Sequence, residues 1–143
     1  MEMKKILLTM VMALTGLCWT ACGPQTPEEM LVGRWRLHRV VETVASTAVD
    51  TVATREMEGY DATQVEFMEG GLCVWKQRTD TTHYHWMLGS DMTLVLMRGT
   101  QVDDYHVDKL TENRLVYSHA YSHRDSVSGV QYDYSYSFEY NKK

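Results

Sequence analysis

From Gly33 onward, apolar and polar residues alternate with a period of two, interrupted at short intervals by Gly, Asn, Asp and Ser. That period puts successive side chains on opposite faces of an extended chain, so it predicts strands with one buried and one solvated face. In the first strand Trp35, Leu37 and Val41 alternate with Arg34, Arg36 and His38, while Arg39 falls on the buried side against the pattern. Thr47 to Met57 reads as a weaker strand rich in Thr and Val. Thr63 to Met68 and Leu72 to Gln77 flank Glu69-Gly70-Gly71, a hairpin signal because glycine permits positive backbone angles. Thr82 to Leu88 and Met92 to Met97 flank Gly89-Ser90-Asp91. Val102 to Leu110 and Arg114 to Ser122 meet at Thr111-Glu112-Asn113, and Val130 to Tyr140 closes the series.

No helical period is sustained after Leu31. Before it, Pro27 to Leu31 predicts one helical turn: Thr26 can cap it, Pro27 suits the first helical position, and Glu29 lies three residues past the cap. Gly33 ends the turn. Roughly nine strands joined by tight turns form an antiparallel meander, which closes economically into an up-and-down barrel because closure removes exposed edges. The expected fold is all-β: a barrel of about eight or nine strands with a short N-terminal helical turn. A sandwich is the alternative.

The N-terminus has a different pattern. Lys4 and Lys5 precede a mostly apolar run from Ile6 to Leu17, and Thr20-Ala21-Cys22-Gly23 supplies small residues before a cysteine. A run of about a dozen residues suits the core of a cleaved export signal better than a lasting membrane span. The expected organisation is a lipoprotein signal peptide over 1–21, a lipid-anchored tether over 22–29 with lipid on Cys22, and the barrel domain over 30–143. Both prolines of the chain, Pro24 and Pro27, lie in or beside that tether. Trp19 departs from the usual Leu of such a site, and an ordinary secretory signal cleaved near Ala21 is the alternative.

Met30-Leu31-Val32-Gly33-Arg34-Trp35-Arg36-Leu37 resembles the start of the lipocalin-like domains of small bacterial lipoproteins, where a short helix leads into a Gly-X-Trp element. Val65-Glu66-Phe67 before Gly70, Trp86-Met87-Leu88 before a turn, and Leu110-Thr111-Glu112-Asn113-Arg114-Leu115 fit the same pattern. The chain also resembles envelope proteins of the Bacteroidota. The resemblance implies a fold and a compartment, a cell envelope and its outer membrane, with Trp35 closing the barrel floor. It implies no defined activity, since one fold hosts many functions.

The 143 residues carry a formal charge of −5, and loss of Glu2, Lys4 and Lys5 with the leader leaves the chain one charge more acidic. No basic block follows, so nucleic acid is not an expected partner. Cys18 lies in the leader, and lipid on Cys22 would leave Cys73 as the one free thiol, so no internal disulfide is expected. Cys73 sits in the apolar run Leu72-Cys73-Val74-Trp75, which points to a buried, inert thiol.

Two groups could carry chemistry. Tyr132, Tyr134, Tyr136, Phe138 and Tyr140 share one face of the last strand. They could fill the core, turn outward to a partner, or line a cavity with apolar rings and polar hydroxyls. His83 and His85 share a strand face, with His106 on a later strand, and could hold zinc; histidines facing solvent are the alternative, and no metal is assigned. Ser118-His119 and Ser122-His123 are sequence neighbours whose side chains point to opposite faces, and no nucleophile elbow or phosphate loop occurs. The chain is therefore not expected to be an enzyme, and no cofactor is assigned. The leading expectation is a lipid-anchored envelope protein whose barrel binds a small apolar or amphipathic ligand through Trp35, Tyr132, Tyr134, Tyr136 and Phe138. The alternative is a scaffold or accessory subunit with a filled barrel that binds another envelope protein.

Overall fold

The computed structural model describes residues 23–60 and 63–143. The leader and Cys22, with its expected lipid, lie outside them. The described chain is a short helix, α1 (Pro27–Leu31), followed by nine antiparallel strands. These are β1 (Gly33–Ser46), β2 (Val49–Met57), β3 (Gln64–Met68), β4 (Leu72–Gln77), β5 (Asp80–Leu88), β6 (Thr93–Arg98), β7 (Gln101–Leu110), β8 (Arg114–Arg124) and β9 (Gln131–Lys142). Each lies within a few residues of its predicted span: Gly70, Gly71 and Gly99 supply the positive φ of two turns, whereas Arg78 and Met92 adopt it without glycine in two others.

Eight strands close the barrel in the order β1-β3-β4-β5-β6-β7-β8-β9, with β9 returning to β1. β2 is the extra strand. β1 is long enough to pair along one edge with β9 from Trp35 to Ser46, and to divide its other edge between two partners. Gly33 to Arg36 pair with β3, whereas Val40 to Ser46 pair with β2. β8 likewise outruns β7: its ladder with β7 stops at Ser118, but its ladder with β9 continues to Arg124. β2 and the upper parts of β1, β9 and β8 therefore project beyond the barrel rim as a four-stranded sheet.

The first strand does not keep the phase expected from its sequence. Leu37 pairs with Tyr140 and Arg39 with Glu139, which leaves His38 as an extra, bulged residue. Beyond it the inward set becomes Val40 and Glu42, not Arg39 and Val41. The bulge turns Arg39 outward to an ion pair with Glu139 at 2.9 Å, so no guanidinium is buried.

The core occupies the barrel interior: Trp35, Leu37, Val40, Val65, Phe67, Cys73, Trp86, Leu88, Leu94, Leu96, Val107, Leu115, Tyr117 and Tyr140, with Leu31 of α1 beneath. Outward positions carry charges such as Arg34, Glu66, Asp104 and Asp108. This apolar-in, polar-out sense is opposite to that of a membrane-spanning barrel. At the floor, Trp35 is fully buried and its indole Nε1–H donates to Leu31 O at 2.8 Å. Thr26 and Glu29 cap α1 reciprocally. Lys142 Nζ donates to Met30 O and Val32 O and lies 4.3 Å from the Trp35 ring centroid. Gly33 makes this junction possible: its φ is +134°, and a Cβ there would meet the Lys142 side chain at 2.8 Å.

Candidate functional site

No bulge interrupts the β8–β9 ladder, so Tyr132, Tyr134, Tyr136, Phe138 and Tyr140 keep one face throughout. Only the lower part of that face lies in the barrel. Tyr140 is fully buried and Phe138 packs against the core, whereas Tyr136, Tyr134 and Tyr132 continue, half-exposed, up the inner face of the projecting sheet. Trp35 lies at the opposite end, under the core, and the structure does not bring it together with the tyrosines above the rim.

β8 supplies the facing rings. Tyr121 stands directly opposite Tyr134 and stacks on it, with centroids 4.9 Å apart and planes within 12°. It also lies 6.1 Å from Tyr136, nearly parallel. Below, His119 bridges Tyr121 to Tyr105 of β7, which meets Tyr117 edge to face at 5.0 Å. An aromatic column thus runs from the core to the tip of the extension. Such rings bury large areas with few rotatable bonds, so a stacked array presents a rigid apolar surface edged with hydroxyls.

The polar centre of this face is Glu42 on β1, one of two buried polar or charged side chains among the described residues. Its inward position follows from the bulge at His38. Arg55 Nε of β2 donates to its Oε1 at 2.6 Å, and the Tyr136 hydroxyl donates to its Oε2 at 2.6 Å. These two bonds, Arg55 first, hold the Glu42 carboxyl below its ordinary range. Donation to Glu42, and then the contact with Tyr121, raises the Tyr136 phenol. Deeper down, burial pushes Tyr105 up to about 12 and raises Tyr117 and Tyr140, whose hydroxyls share a 2.7 Å hydrogen bond. Every phenol named here with a shifted pKa therefore stays neutral at physiological pH, and the face carries one fixed ion pair, Glu42 with Arg55. Sequence reading missed Glu42, Arg55 and Tyr121. The signal was present in Arg39, whose wrong-face position marks the bulge that brings Glu42 inward.

The interior beneath this face is occupied. Trp75, Tyr84, Tyr105 and Phe138 cover the core from above, and Arg98 lies over the Tyr84 ring at 5.7 Å. A cleft of about 1270 Å³ lies at the floor instead, between Gly23–Thr26, Glu69–Gly71 and Trp86–Leu88. None of the tyrosines of β9 lines it.

His83 and His85 point outward from β5 and are exposed. Among the described residues, no group of three or more His, Cys, Asp or Glu is placed to hold a metal ion. Cys73 is buried in the barrel, and burial pushes its thiol up to about 12, which leaves it protonated. No protein-family model, curated protein or solved structure matches this chain.

Proposed function

We propose that this chain is a lipid-anchored, lipocalin-like protein of a bacterial envelope that acts as an accessory subunit, binding another envelope protein through the tyrosine face of its projecting sheet. One observation carries the reading: the barrel interior is filled, while the stacked Tyr121, Tyr134 and Tyr136 stand outside the core. Tyrosine is enriched where proteins bury surface against one another, since its ring is apolar and its hydroxyl satisfies a partner's polar groups. The leader pattern ending at Cys22 supports the anchor and the compartment.

A second reading keeps the small partly apolar ligand, now above the barrel. The half-buried rings of Trp75, Tyr84, Tyr105 and Phe138 at the rim favour it, because they form an aromatic base under the tyrosine wall. A photo-crosslinking residue at Tyr121 in the intact envelope separates the two. The accessory role predicts a discrete protein adduct that Tyr134→Ala abolishes and that is absent with the crosslinker at Thr81. If no protein adduct forms and native mass spectrometry finds a retained small molecule, the ligand reading replaces it.

A further inference from the structure

The outer wall of the barrel carries a second constellation, on the face of β5 opposite the core. Trp86 and Leu88 point inward, so His83, His85 and Met87 all point outward, and all three are exposed. Successive members of that row have Cα atoms about 7 Å apart. Met97 of β6 is the direct cross-strand partner of His85, and Leu72 of β4 is its partner on the other side. Direct partners in an antiparallel pair have Cβ atoms about 5 Å apart. His85 is thus the centre of a cross, with His83 and Met87 along its own strand and Met97 beside it. Among the described residues, neither imidazole makes a hydrogen bond that would hold its nitrogens away.

We infer that this cross binds a single soft, monovalent metal ion, Cu(I), through the imidazoles of His83 and His85 and the thioether of Met97. The donor set decides the metal. Two imidazoles without a carboxylate or thiolate are too few for a closed structural zinc site. Thioether sulfur is a soft donor that favours Cu(I) over harder divalent ions. The long, flexible methionine side chain lets its sulfur move to the ion, while Leu72 and Val102 flank the row with apolar surface. The site is independent of the tyrosine face, which lies on other strands.

The test is an anaerobic titration of the purified full chain with Cu(I) in ascorbate, in competition with a chromogenic Cu(I) chelator. Binding of one ion per chain is expected, with a shift of the Met97 ε-methyl NMR signal on loading. His85→Ala should abolish binding, and Met97→Leu, which keeps the side-chain volume, should weaken it about tenfold or more. His106→Ala, outside the cross, should leave it unchanged. Circular dichroism confirms that each variant is folded. Binding by His85→Ala or Met97→Leu that equals the parent overturns the assignment, as does Zn(II) bound as tightly as Cu(I).

Discussion

Glu42 shows how one residue links a backbone irregularity to the chemistry of a surface. Without the extra residue at His38, its carboxylate would face solvent on the outer wall. With it, the carboxylate lies among tyrosines and is held by Arg55 and Tyr136. Because both bonds stabilise the ionised form, its folded pKa lies below the unfolded one. Its contribution to stability is therefore complete above about pH 4.5 and is lost as pH falls through the lower, folded value. Urea midpoints measured from pH 7 to pH 3 should fall in that range, and Glu42→Gln should be less stable at neutral pH with a shallower acid limb. A midpoint with the same pH profile in both proteins would show that the carboxylate contributes nothing.

At the scale of elements, the strands and turns were legible because their signals are local: two-residue alternation, paired glycines, a cap with its reciprocal Glu29. The phase of β1 was not, since a bulge adds a residue without changing composition, and one residue reverses every later side chain. Nor does sequence say which strand stays outside the ring. β2 reads as a strand rich in Thr and Val, but it lies wholly along the far edge of β1 and is exposed from Val49 to Glu56. The tyrosine alternation was readable in β9. What was hidden was the height of the barrel rim, which divides that row between core and surface. Amide exchange should resolve this division. β2, paired on one side only, should exchange fastest among the strands, and β9, paired on both sides, slowest. Equal protection of the two would mean that β2 is covered in solution.

For the whole molecule, β1 belongs to both the barrel and the projecting sheet, and damage at one end should therefore reach the other. Trp35→Ala removes the largest side chain of the floor and should cost about 3–5 kcal/mol. It should also lower amide protection at Tyr134 and Ser135, far above the cavity it leaves. Loss confined to α1 and the lower barrel would show that the sheet folds as its own unit. The same continuity has a mechanical meaning. β1 spans about 45 Å of extended chain. The described chain begins at the floor, and the tyrosines stand at the far end. In a molecule held by its N-terminus and tugged through that face, the load runs along β1. The ladders with β3, β2 and β9 lie parallel to the pull and must shear together, instead of peeling one bond at a time. A closed ring with one strand running from floor to tip should thus resist unfolding when the load is applied along that axis.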